Sequence, residues 1–288
     1  MSELLDFTVY HLLHEFDPEN KGFMPRARFY KALYLLDDRL KKRKIDIALP
    51  WCWYKFGPQV QERFITSSVF RLSASSPDLN EKYKVYFGKE PRTKGLPEKE
   101  TAAIMNEIRK MNKEHLSTDK MVELVYAKAP RKMLRTFKEL EDHFKNEILG
   151  SKEISQENLT KIVNFLDDIQ RNYRKDEFAE MFEEYLRFDE ALRMTLDNFP
   201  SRLKDINELL MKFRELIATK ASLLFNENLP EDWIKERQAG LEERLSQFRT
   251  ELDAYERTVL REMAKDQHEP NKHSRMLLEI GYDLTKEA

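Results

Sequence analysis

The sequence predicts a mainly α fold: a small α-rich N-terminal domain with a short β-hairpin-like element, followed by a bundle of long amphipathic helices. Three observations carry this. Apolar residues recur at three- and four-residue steps along much of the 288-residue chain, the period of a helix buried on one face. Glycine is scarce, at 7 residues, which disfavours glycine-rich phosphate loops and many tight hairpins. Prolines at 25, 50, 58, 77, 91, 97 and 130 break the first half into short elements, whereas the second half reads as nearly continuous helix. The length suits about two domains, divided here into residues 1–150 and 151–288.

In the first half, Leu4 to Phe16 reads as a helix ended by Asp17-Pro18. A second helix runs from about Arg26 through Phe29, Ala32, Leu33, Leu36 and Leu40, an i, i+3, i+4 stripe. It ends in a basic cluster, Arg39, Lys41, Lys42, Arg43 and Lys44, part of which suits the negative end of the helix dipole. Tyr83 to Phe87 has the composition of a short strand, with Val69 to Leu72 as its partner. Pro97 suits a first helical turn, and another helix follows Ser117.

The second domain begins after Gly150, which suits a helix C-cap. Ser155, Glu157 and the series Leu159, Ile162, Val163, Leu166, Ile169 open a new helix. Phe178, Phe182, Tyr185 and Leu186 form one stripe, and Ile206, Leu209, Leu210, Phe213 and Leu216 another. Leu241, Leu245, Phe248, Leu252, Tyr255 and Val259 step by four and three, as a coiled-coil seam does. An antiparallel bundle within one chain is the default, and a seam pairing two copies is the alternative.

The near-neutral net charge of −2 hides a split: Lys and Arg against Asp and Glu give a net of +6 in residues 1–150 and −8 in 151–288. A basic half suits nucleic acid or an acidic protein, and equally an ordinary surface. The single Cys52 excludes an internal disulfide framework and cysteine-rich zinc sites. No apolar run approaches the roughly 20 residues of a membrane span, and the N-terminus, with Glu3 and Asp6, has no basic leader. A cytoplasmic protein that does not engage membranes is expected.

The sequence offers no catalytic constellation. Asp17 to Met24 resembles a calcium loop with Gly22 at its sixth position, but Lys21 and Arg28 stand where the fifth and twelfth ligands belong. A polar turn between helices is the better reading. His11 and His14 lie one helical turn apart beside Glu15, in an order unlike H-E-x-x-H. Cys52 between two tryptophans reads as a buried structural thiol. Adjacent acids such as Asp37-Asp38 and Asp167-Asp168 point about 100° apart on a helix. Neither a catalytic residue, a metal ligand nor a cofactor is expected.

Two stretches have recognition character. Leu49 to Val60, LPWCWYKFGPQV, crowds aromatics before a Gly-Pro turn, and Trp51, Trp53, Tyr54, Lys55 and Phe56 are candidate partner-binding residues. Within it, Trp53, Tyr54 and Phe56 are expected to build the fold, with Trp51 and Lys55 at the contact. Lys128, Arg131, Lys132, Arg135 and Lys138 recur at three- and four-residue steps. With Arg39 to Lys44 they are candidates for nucleic-acid binding. A solvated helix face paired with Glu139 and Asp142 accounts for the same ridge.

The order of these elements resembles the Panacea-type antitoxin domain, a family of phage-associated and toxin–antitoxin proteins. The likeness covers about residues 25–140. It rests on Lys31-Ala32-Leu33-Tyr34-Leu35-Leu36, on Trp53-Tyr54-Lys55-Phe56-Gly57-Pro58-Gln59-Val60, on the short β-like region, on Leu96-Pro97-Glu98-Lys99-Glu100, and on Ser117 to Leu124 running to Pro130. The chain differs from the family's usual ending, carrying Val125 to Arg131 without His or Trp. The resemblance implies a non-enzymatic recognition domain that docks to a partner protein, often a toxin or a defence-complex subunit. The C-terminal helices then bind a second partner or another copy of the chain. A nucleic-acid-associated regulator is the alternative.

Overall fold

The computed structural model describes residues 3–17, 19, 21–55, 57–66, 68–72, 84–151 and 154–265. Mainly helical with a small β component, it divides into two compact units, Met1–Lys138 with Ile217–Leu241, and Glu139–Leu216 with Glu242–Ala288. Segment 217–241 thus belongs with the N-terminal unit, a chain return that the reading of two consecutive blocks does not contain.

Unit 1 opens with α1, Glu3–Glu15, whose Leu5, Val9, Leu12 and Leu13 are buried. The polar turn that follows is closed by Asp17: its carboxylate accepts the backbone N–H groups of Lys21, at 2.9 Å, and Gly22, at 2.8 Å. Both oxygens are thus engaged by backbone N–H groups. Strand β1 (Phe23–Pro25) leads into α2 (Arg26–Lys41). Phe29, Ala32, Leu33, Leu36 and Leu40 of α2 are fully buried, as their spacing predicts.

Strands β2 (Trp51–Tyr54) and β3 (Gly57–Val60) pair antiparallel, Trp51 opposite Val60 and Tyr54 opposite Gly57. The sequence reading has a Gly-Pro turn here but no hairpin. Trp51, Cys52 and Trp53 are buried in succession, so the apolar–polar alternation that marks a strand is absent. Pro58 is tolerated because β3 is an edge strand, where a missing N–H breaks no ladder. On the other side of β2 lies a two-residue strand β6 (Asn226–Glu227), paired with Cys52 and Trp51.

The expected hairpin-like element is present as β4 (Phe70–Leu72) and β5 (Lys84–Phe87), antiparallel with Phe70 opposite Phe87, and β1 adds to the far edge of β5. Tyr83, read with this strand, lies outside the described residues. Helices α3 (Glu98–Lys113) and α4 (Thr118–Tyr126) complete the first stretch of the unit. Pro97 immediately precedes α3. Ser117 caps α4, its Oγ accepting from the Lys120 N–H at 3.1 Å. In this unit α1 packs on α3, while α2 packs on α3, α4 and β3.

Helix α5 (Lys132–His143) runs into a π-helical turn at Phe144–Ile148. Unit 2 then holds α6 (Gln156–Asn172), α7 (Phe182–Asn198), most of α8 (Leu203–Leu224) and the larger part of α9 (Glu231–Lys265). Ser155 caps α6 by accepting from the Asn158 N–H at 3.2 Å. The α8 stripe from Ile206 to Leu216 is buried as expected. The α7 stripe shifts: Phe178, Met181, Tyr185, Phe188 and Leu192 are buried, whereas Leu186 is 42% exposed. A 3-10 turn at Ala179–Met181 precedes α7, so the helix starts on a different face from the one the spacing suggested.

The coiled-coil-like seam of α9 is occupied by its own chain. Leu245, Phe248, Leu252 and Val259 are buried, with the Phe248 ring 5.3 Å from that of Phe213. Tyr255 shares a 2.7 Å hydrogen bond with Thr195, and Arg187 reaches both Asp253 and Glu256. These described seam residues thus pack within the chain. Among the described residues no helix is long and apolar enough to cross a membrane.

Candidate functional site

The aromatic segment singled out by the sequence falls largely in strands β2 and β3 of unit 1. Trp51 and Trp53 are only 8% and 2% exposed. Trp51 meets the Tyr34 ring edge-on at 4.8 Å, and Trp53 meets Tyr126 at 5.8 Å. Trp51, expected at a contact surface, instead packs inside, because β2 is the middle strand of its sheet and both of its faces are covered. Phe56 lies outside the described residues. Tyr54 and Lys55 are half-buried, and the Lys55 carbonyl accepts from the Tyr126 hydroxyl at 3.2 Å.

A residue the sequence reading passed over joins Tyr54 at the surface. Arg237, on α9, places its guanidinium carbon 4.3 Å from the centre of the Tyr54 ring and 5.8 Å from that of Trp233. Its Nε donates to the Ser222 hydroxyl at 3.0 Å. A cation held over an aromatic face gains roughly 0.5–2 kcal/mol, and here the hydrogen bond also fixes the plane of the guanidinium. Tyr, Trp and Arg are the residue types that dominate binding energy at protein interfaces. Nothing local in the sequence joins Tyr54 to Arg237. The chain return brings them together.

The basic candidates are largely spent on carboxylates. At least five of the nine hold one: Arg39 is bidentate to Glu114, Lys41 bridges Asp37 and Glu227, Lys42 and Lys128 share Asp38, and Arg43 holds Glu107. Each neutralised cation removes a counterion-releasing phosphate contact from the nucleic-acid reading. Lys44 is exposed with a left-handed backbone, φ 61°. Arg131 covers the Phe225 ring at 5.1 Å, and Lys132 and Arg135 are exposed on α5. The ridge exists, and in the cluster at the end of α2 Arg39 and Lys41 are half-buried in their ion pairs while Lys42, Arg43 and Lys44 are exposed.

Three buried titratable groups lie close to the hairpin. Lys31, 4% exposed, donates from Nζ to the Pro58 carbonyl at 3.2 Å, and burial pushes its ammonium down to about 7. Asp37, 2% exposed, is pushed up to about 6 by burial, against the pull of Lys41 at 2.7 Å. The Cys52 thiol, fully buried and 3.6 Å from Gln61 Nε2, is pushed up to about 11 by burial. Such a thiol is inert as a nucleophile at neutral pH.

The histidine pair is absorbed into aromatic packing. His11 lies 4.3 Å from Phe7, while His14 lies 4.3 Å from Tyr10 and 4.9 Å from Phe87. Among the described residues no group of three or more His, Cys, Asp or Glu is placed to hold a metal. Comparison of the chain with protein-family models, curated proteins and solved structures finds no match.

Proposed function

We propose that the protein is a non-enzymatic interaction module of the cytoplasm, whose unit 1 binds and controls a partner protein. The surface is the half-buried Tyr54–Lys55 end of the β2–β3 hairpin together with Arg237. The single observation that supports this reading is the Arg237 guanidinium held 4.3 Å over Tyr54 by its bond to Ser222. It is a rigid aromatic–cation pair at the surface, with little side-chain entropy left to lose on binding. The motif order that resembles an antitoxin domain points to the class of partner: a toxin, or a subunit of a phage-defence complex.

The experiment is co-purification of the full chain with the product of the neighbouring gene, followed by titration of the two proteins. A 1:1 or higher complex is expected, weakened at least tenfold by the double substitution Tyr54→Ala and Arg237→Ala with the far-ultraviolet spectrum unchanged. A neighbouring toxin that stays unbound and fully active in the presence of the protein would overturn the reading.

A further inference from the structure

We infer that a second site in unit 1, an open cavity of about 430 Å³, binds a small organic monocarboxylate with an apolar body. This goes beyond the partner-binding reading and uses none of its residues. The volume lies within the usual range of ligand pockets, about 300–1,000 Å³. Phe16, Phe23, Met24, Met111 and Leu116 supply an apolar wall, and Arg28 on α2 supplies the cation.

Arg28 marks the anchor. Its Nε is buried and has no hydrogen-bond partner among the described residues, while its guanidinium carbon stands 5.7 Å from the centre of the Phe16 ring. A buried donor left without an acceptor costs on the order of 1–3 kcal/mol, and more when charged. Arg28 as a whole is part-exposed and lines the cavity, so a carboxylate entering it meets the terminal guanidinium nitrogens through charge-assisted bonds, bidentate in the favourable geometry. The other charges at the site are already committed. Asp17 accepts two backbone N–H groups, and Glu19 pairs with Lys21 at 2.6 Å.

The same charges select the class of anion. Two carboxylates, Asp17 and Glu19, line the cavity beside the cations Lys21 and Arg28 and the imidazole of His115, so with that imidazole uncharged the formal charge of the lining balances. One further negative charge can be accommodated at Arg28, whereas a phosphate dianion meets repulsion that the site does not offset. The apolar wall then favours an alkyl or aromatic tail over a bare anion such as acetate.

Methyl-¹³C methionine spectra of the full chain, titrated with octanoate, test this. Saturable shifts of the Met24 and Met111 methyls are expected, with 1-octanol and inorganic phosphate each binding at least tenfold more weakly. Arg28→Gln should weaken octanoate at least tenfold. Leu116→Trp, at a part-exposed position on the rim, should block binding with the thermal midpoint retained, and decides the question should Arg28→Gln fail to fold. Equal affinity for octanoate in Leu116→Trp, or equal affinity for octanol and octanoate in the unmodified protein, would overturn the inference. So would loss of partner binding in Arg28→Gln with no octanoate shift at either methyl, which would assign the cavity to an acidic protein segment.

Discussion

The ammonium of Lys31, buried on α2, donates to the carbonyl of Pro58 in β3 at 3.2 Å. A Cβ added to Gly57 would lie 3.1 Å from that same nitrogen and 3.1 Å from Val125 Cγ1, so the hairpin rests directly on α2 and α4. Gly57 adopts φ 87°, a conformation that side chains with a Cβ rarely take. The start of β3, the lysine and α4 therefore define one another's positions.

Lys31→Met is expected to stabilise the fold near neutral pH. The folded lysine titrates at about 7, below its unfolded value, so between pH 7 and 10 the unfolded chain binds a proton that the folded chain does not. Wild-type stability therefore rises with pH across that window, and the full burial penalty is felt below it. The ceiling is roughly 5 kcal/mol, reduced by the lost bond to Pro58. Urea denaturation of both proteins at pH 6.5 and 10 measures it. An advantage for Met that fails to shrink at high pH would contradict the assignment.

Asp37→Asn reads the opposite sign. The folded carboxyl titrates at about 6, above its unfolded value, so between about pH 4 and 6 the folded chain holds a proton that the unfolded chain has released. Wild-type stability falls as pH rises through that window. The stability of the Asn variant relative to wild type should therefore climb from pH 4 to 6.5, by at most about 3 kcal/mol. Denaturation midpoints at the two pH values test it, and a flat difference would count against it.

Gly88→Ala is expected to disrupt the β4–β5 pairing. An added Cβ would come within 2.2 Å of the Ser68 carbonyl oxygen and 2.3 Å of the Val69 carbonyl carbon. Both are backbone atoms, held by the Gly88 N–H to Val69 O bond of 2.9 Å and the Lys89 N–H to Ser68 O bond of 2.6 Å. Overpacking against atoms that cannot rotate away costs several kcal/mol. A thermal midpoint within a few degrees of wild type would contradict this close approach.

Cys52 should resist thiol reagents in the native state. With its thiol buried and pushed up to about 11, little thiolate exists at pH 8 and reaction waits for opening of the sheet. Labelling with a disulfide reagent at pH 8 should be slow in buffer and complete within minutes in denaturant. Rapid labelling of the native protein would mean that β2 is accessible.

Local signals were legible in the chain wherever a few neighbouring residues suffice to satisfy the backbone. Ser117 and Ser155 cap the helices they were expected to open, since a cap needs only a hydroxyl within three residues of the N–H it accepts. The buried stripes of α2 and α8 follow from helical period alone. The hairpin at Trp51–Val60 was hidden because both faces of β2 are covered, which removes the alternation that announces a strand. The shift of the α7 stripe depends on where a single 3-10 turn sets the helix in motion.

The sequence by itself determined the mainly helical class, the caps, the amphipathic stripes and the aromatic density of the hairpin segment, because each is written in residues a few positions apart. Only the tertiary structure decided what those residues face. Glu227 comes back 186 positions to meet Lys41, Glu114 lies 75 positions from Arg39, and Arg237 from α9 lies over Tyr54. Whether a cation is a binding group or an internal ion pair depends on the carboxylate brought to it by the fold. Charge and proximity act through space, and periodicity along the chain carries no record of them.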